Sequence, residues 1–131
     1  QHHVGMMCRV PHSSGLLEGN LTPDTTFPKW DHRSHRPPEW LSEGLAKVDQ
    51  LEFLTAGGNR TIAQAALKFV LAEPLMISAL PNVYDEKFLE EFAATSDVPD
   101  LTDEEISRVQ ALYESNFGIT PLAASQESAN E

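Results

Sequence analysis

Cysteine is almost missing from this chain. Cys8 stands alone, so no internal disulfide can form, and nothing in the cysteine usage points to an oxidising compartment. Positive charge is scarce as well: nine Lys and Arg face twenty Asp and Glu, a formal net charge of -11. That balance argues against nucleic acid and against an anionic membrane as partners, because both draw basic surfaces. No apolar run reaches the roughly eighteen residues of a membrane span. The first residues also lack the basic, apolar, small-residue order of a secretory signal. The expectation is a cytoplasmic protein, in which the glycosylation sequons at Asn20 and Asn59 are accidental.

What is present is a regular alternation of apolar segments and breakers. Residues 5–10 form a short continuous apolar run stopped by Pro11, the pattern of a buried parallel strand. From Pro11 to Pro38 the chain is rich in Pro, Ser, Thr, Gly, Asp and His. A loop that long inside a compact domain is more often functional than neutral. Trp40, Leu41, Leu45, Val48, Leu51 and Leu54 recur at three- and four-residue steps and predict a helix over 39–54, broken by Gly57 and Gly58. Thr61 caps a second helix with Ile62, Ala65, Ala66, Phe69 and Val70 on its buried side, ended before Pro74. Residues 75–80 read as a second buried strand closed by Pro81. Asp85 caps a third helix to about Ala94, and Thr102 with Glu105 forms a capping box for a last one carrying Ile106, Val109, Leu112 and Tyr113. The segment 119–131 has too little apolar content to pack and is expected to be a mobile tail.

Strand, long loop, two helices, strand, helix, helix is the order of a parallel βαβ unit with helices appended. Two parallel strands alone leave both edges and both faces in need of cover, so the missing strands have to come from elsewhere. The chain opens at Gln1 with an apolar run close behind, and the expectation is a piece truncated at its N-terminus, with residues 1–118 as the folded portion.

Three segments resemble the C-terminal part of the aldo-keto reductase family. Arg-Val-Pro-His-Ser-Ser-Gly-Leu-Leu-Glu-Gly at 9–19 resembles its strand-seven loop, where relatives carry an aromatic residue, Ser-Pro-Leu and a later Gly. Arg-Thr-Ile-Ala-Gln-Ala-Ala-Leu-Lys-Phe-Val-Leu-Ala-Glu-Pro at 60–74 is similar to the penultimate barrel helix. Leu-Pro-Asn-Val-Tyr-Asp-Glu-Lys-Phe-Leu-Glu-Glu-Phe at 80–92 resembles the last strand and the start of the cofactor-binding helix. The resemblance implies an α/β fold that is a partial (β/α)8 TIM barrel, namely its last two βα units plus a C-terminal helix. It implies an enzyme that moves a hydride between NADPH or NADH and a small-molecule carbonyl or alcohol, at the C-terminal ends of the strands. The family's catalytic Asp, Tyr, Lys and His lie on earlier strands, so no catalytic residue is assigned here, and the fragment alone is expected to be inactive. Its first partner is the remainder of its own barrel.

The same resemblance distributes cofactor-binding roles. Arg9 stands where an aromatic commonly stacks on the nicotinamide, and a guanidinium plane can stack in its place. Val10, His12, Ser13 and Ser14 match the loop that holds the pyrophosphate, largely by backbone amides. His12 as a catalytic acid is set aside, because loop histidines are far more often structural. Asn20 replaces a phosphate-binding Lys, and Arg33 or Arg36 of the long loop offers a phosphate clamp. Asn82, Tyr84, Asp85, Phe88 and Glu91 match the adenosine side. Phe88 stands where binders of a 2′-phosphate carry a basic or amide residue, and carboxylates beside it favour a free ribose hydroxyl. Asp85 as a plain cap and Phe88 and Phe92 as core contacts are equal alternatives. No metal is expected, since His32 and His35 lack companions at recognised spacing. A non-enzymatic binding or regulatory subunit with the same barrel fold is the competing reading, resting on the substitutions at Arg9, Asn20, Phe88 and Phe92.

Overall fold

The computed structural model describes residues 4–120. Strand β1 (Met6–Arg9) pairs in parallel with β2 (Met76–Leu80), bringing Met6 opposite Met76 and Arg9 opposite Leu80. Between them the chain makes 3₁₀ turns at Leu16–Glu18 and His32–His35, helix α1 (Glu39–Asp49), a 3₁₀ turn at Glu52–Leu54 and helix α2 (Ile62–Leu71). After β2 come α3 (Glu86–Ala93), a 3₁₀ turn at Ala94–Asp97, α4 (Asp103–Glu114) and a last turn at Asn116–Gly118. The expected tail lies outside the described residues from position 121 onward.

Both strands were expected to be buried, and in this chain they are largely exposed: Ile77 is 70% accessible and Met7 56%. The reason is the sheet itself, which among the described residues has two strands and therefore two open edges. Ala79 alone of β2 packs into a core cluster, against Ala63, Leu67, Phe88 and Phe92. The apolar character of the strands suits neighbours on every side, as in a closed barrel.

Helix α2 is the keystone. The Thr61 hydroxyl accepts from the Gln64 amide at 3.2 Å, and the Thr61 amide donates to Gln64 Oε1 at 3.0 Å, a complete capping box. The expected apolar stripe of Ile62, Ala65, Ala66, Phe69 and Val70 is only half the account, because Ala63 and Leu67 are more deeply buried than most of it. α2 has two buried faces. Ala65 joins Leu51, Leu54 and Leu101 in one cluster, while Ala63 and Leu67 join Phe88 and Phe92 in the other. Small alanines at the centre let both sides approach closely.

The expected 39–54 helix is also divided. α1 stops at Asp49, and Leu51 and Leu54 enter the core from a tighter 3₁₀ turn that aims both at Ala65. Asp85 and Thr102 cap as anticipated: the Asp85 carboxylate accepts from the Phe88 amide at 2.9 Å, and Thr102 exchanges bonds with Glu105. Arg60 ties these parts together. It donates to the Leu54 carbonyl at 2.9 Å and the Asp100 carbonyl at 3.2 Å, and it pairs with Glu105 at the start of α4.

Candidate functional site

Parallel pairing of Arg9 with Leu80 puts the loops that follow β1 and β2 at the same edge of the sheet. The first loop is held in an uncommon backbone state. Val10 (φ 53°), Ser13 (φ 51°), Ser14 (φ 57°) and Gly15 (φ 95°) all occupy the left-handed region. For a β-branched residue such as Val10 this is a true outlier, of the kind that persists only where its surroundings over-determine it. The turn is closed by bonds from the Gly15 and Leu17 amides to the His12 carbonyl, each 3.1 Å. Among the described residues, the amides of His12 and Ser14 find no acceptor in the chain.

The six residues 9–14 do not all face the same way. Arg9, Val10 and Ser13 are exposed and Ser14 is half-buried. His12 turns inward and is 2% accessible, its ring packed at a 40° tilt with its centroid 4.6 Å from that of Phe92. Its Nε2 lies 3.1 Å from the Ala63 carbonyl, so that nitrogen carries the proton, as a carbonyl only accepts. Nδ1 is buried without a hydrogen-bond partner, 3.9 Å from a carboxylate oxygen of Glu18, which is equally buried. Burial holds the His12 imidazole below its usual pKa, against the opposing pull of the Ala63 carbonyl and of Glu91. Burial likewise pushes the Glu18 carboxyl up, against the opposing effect of Arg33.

Arg33 comes to this loop from the far end of the long insertion. Its Nε and Nη2 grip the Asp31 carboxylate, with the shortest bond at 2.7 Å, and its plane lies 4.3 Å over the Phe27 ring. The fork leaves Nη1 turned to the Ser14 carbonyl at 3.4 Å. Asp31, bonded to Arg33 through side chain and backbone, is held down to a pKa of about 2, and the Arg33 guanidinium is raised by the same bond. Gly15 is what permits this approach. A Cβ there would lie 3.0 Å from Arg33 Nη1 and 3.2 Å from Glu18 Oε2, so guanidinium and carboxylate share its open face. Arg36, by contrast, lies over Trp40 at 5.6 Å and so belongs to the outer part of the insertion. Trp40 packs near Phe27 and anchors the loop, whereas Trp30 is 85% accessible.

On the adenosine side, Asn82, Tyr84 and Asp85 are exposed, with Asn82 donating to the Tyr84 hydroxyl at 3.4 Å. Phe88 is buried and meets Tyr84 edge-on at 6.0 Å and Phe92 at 5.4 Å, so Phe88 and Phe92 are core residues. Glu91 is half-buried and accepts from the Thr61 hydroxyl at 2.6 Å. Glu18 had no signal in the sequence. It is a single acid after two leucines, and only the fold reveals that it points inward. Lys87, exposed beside Phe88, likewise escaped notice.

Two concavities border these loops, one reaching Pro81 and Val83 after β2 and the other Pro11 after β1. One of about 780 Å³ opens between α2, β2 and α3, and residues 9–15 do not line it. A smaller apolar one of about 170 Å³ lies beneath Pro11 and Leu17 against α2, Val109 and Phe117. Among the described residues no group of three or more His, Cys, Asp or Glu gathers as a metal site, and no helix is long and apolar enough to cross a membrane.

A parallel strand pair, a helical crossover and flanking helices, with a strained loop after β1 at the shared C-terminal edge, match a portion of an α/β barrel. The chain belongs to the aldo/keto reductase family, whose sequence profile matches residues 1–114. The same fold is found in the glycerol dehydrogenase AKR11B4 from Gluconobacter oxydans, at 23% identity and a TM-score of 0.71 over 97% of this chain. The chain spans 39% of the length of that structure. No curated protein sequence gives a significant match.

Proposed function

We propose that this chain forms the last two βα units and C-terminal helix of a nicotinamide-dependent aldo-keto reductase barrel. Its task in that barrel is to hold the cofactor, NADPH or NADH, while hydride transfer to a small carbonyl, or from an alcohol, uses catalytic groups on the rest of the barrel. The observation that carries this reading is the run of left-handed residues at the C-terminal end of β1, with the His12 and Ser14 amides left without acceptors. Amides without partners beside a guanidinium suit a pyrophosphate, whose oxygens accept from both. When bound, the cofactor supplies the hydride; the residues of this chain bind and orient it.

In this reading the loop amides and Ser13 and Ser14 hold the pyrophosphate, Arg33 Nη1 closes over it, and Arg9 at the end of β1 faces the nicotinamide. His12 supports the loop from beneath rather than by contact. Asn82, Tyr84 and Asp85 border the adenosine, with Glu91 behind them. Asp85 and Glu86 outnumber Lys87 at the start of α3, and Phe88 is committed to the core, so a 2′-phosphate gains little there. The protein therefore uses NADH at least as well as NADPH. The competing non-enzymatic reading loses ground, because Phe88 and Phe92 are explained by packing rather than by a lost contact. The exposed apolar faces of β1 and β2 are covered by the remainder of the barrel, and the whole acts in the cytoplasm.

The test is parallel fluorescence titration of the intact protein with NADH and NADPH, followed by carbonyl reduction with each. Binding of both, with NADH at least equal, is expected. A clear NADPH preference would overturn the cofactor assignment, and no binding of either would overturn the function.

A further inference from the structure

The proposed function gives His12 a supporting place under the phosphate loop but leaves its buried partner Glu18, and the proton between them, without a role. We infer that Glu18 and His12 are positioning residues that set the loop's affinity for the cofactor pyrophosphate through the single proton they share. This inference rests on the cofactor-binding reading above. His12 Nε2 is fixed on the Ala63 carbonyl, so any second proton on the pair sits between Nδ1 and the Glu18 carboxyl, 3.9 Å apart. With that proton the pair is neutral overall. Without it, the pair carries one buried negative charge beneath residues that must receive an anion.

Arg33 transmits the difference. Asp31 already holds Nε and Nη2, so Nη1 is the nitrogen free to choose. It stands over the open face of Gly15, with the Ser14 carbonyl on one side and the Glu18 carboxylate on the other. A charged Glu18 draws Nη1 inward, and a protonated pair releases it to the ligand. The other groups around the pair are Glu91 of α3, which acts on both His12 and Glu18, and Tyr84, which faces Arg33; α2 offers the Ala63 carbonyl. Glu91 adds negative charge and so favours the protonated pair. Burial disfavours separated charges and acts in the same direction.

Anion binding must then take up a proton, since it stabilises the neutral pair. The experiment is calorimetric titration of the intact protein with NAD⁺, in two buffers of different ionisation enthalpy, across roughly pH 6 to 9, above the ordinary carboxyl range out of which burial pushes Glu18. NAD⁺ is used because it has no 2′-phosphate to titrate. Expected are fractional proton uptake and an affinity that falls about tenfold with rising pH, the scale of one unit charge acting over roughly 10 Å at an effective dielectric near 20. Glu18→Gln should bind NAD⁺ at least as tightly as the parent at high pH, with the proton uptake gone. Should Glu18→Gln fold poorly, proton uptake by the unaltered protein decides alone. Binding without uptake and with flat affinity overturns this inference and leaves the function standing; no binding at any pH overturns both.

Discussion

Gly44 offers a test in which two opposing effects can be separated. It is buried in the middle of α1, where a glycine costs about 1 kcal/mol relative to alanine, so Gly44→Ala should stabilise on propensity alone. The structure predicts the reverse. An added Cβ would lie 2.6 Å and 2.7 Å from the two Leu16 methyls and 3.3 Å from Leu16 Cγ. Leu16 cannot simply swing away, because it is buried and sits in a 3₁₀ turn that starts from the left-handed Gly15. Overpacking of this kind costs roughly 1–3 kcal/mol. Set against the propensity gain, the net expectation is a loss of about 1 kcal/mol. The decisive control is background. Leu16→Ala costs about 2–5 kcal/mol by itself, and it removes the crowding methyls. On that background Gly44→Ala should change sign and stabilise by about 1 kcal/mol, read as the shift in urea midpoint of the intact protein. A substitution that stabilises the parent, or that stays equally harmful with Ala at position 16, would show that α1 does not press on the Leu16 turn. Because that turn carries residues 10–15, Gly44→Ala should also weaken dinucleotide binding without touching the ligand.

Two further outcomes follow from the ties that hold the insertion and the helices. Arg60→Met should cost about 2–4 kcal/mol, since it leaves the Leu54, Pro99 and Asp100 carbonyls and the Glu105 carboxylate without their shared cation; a loss below about 0.5 kcal/mol in denaturant melts would remove Arg60 from its tying role. The Asp31–Arg33 lock should be robust to acid. The folded-state pKa of Asp31, about 2, lies below its ordinary 3.8, so the lock's contribution is complete above 3.8 and is lost as pH falls toward 2. Carboxyl-carbon NMR of Asp31 should show this low midpoint. Asp31→Asn should open residues 20–38 to proteases at neutral pH; an ordinary midpoint, or a variant as resistant as the parent, would count against the lock.

What was legible in the sequence, and what was not, divides along the range of the interactions involved. Caps are local. Thr61, Asp85 and Thr102 each bond an amide three residues on, so residue type and spacing were enough to place the starts of α2, α3 and α4. Family resemblance placed the two loops at one edge, and the pairing of Arg9 with Leu80 accounts for it. The burial of Ala63 and Leu67 was hidden because periodicity assumes one buried face, and α2 has two. The inward turn of His12 was hidden for a different reason. A left-handed residue usually announces itself as Gly or Asn, yet here Val10, Ser13 and Ser14 adopt that state and only Gly15 conforms. The strain in those residues is stabilised from below by Leu16 against Gly44 and by His12 against Ala63 and Phe92, and it is bounded from above by Arg33. None of these contacts is shorter than about twenty residues in sequence, so none leaves a local signature. The features that shape the candidate phosphate site are thus long-range packing contacts, and the loop's own residue types say little about its form. It follows that substitutions at Gly44, Ala63 or Phe92, which touch no ligand, should alter dinucleotide binding more than a change at the exposed Ser13 side chain, because the open amides of the loop belong to His12 and Ser14 while the Ser13 amide is bonded to the Val10 carbonyl at 3.2 Å.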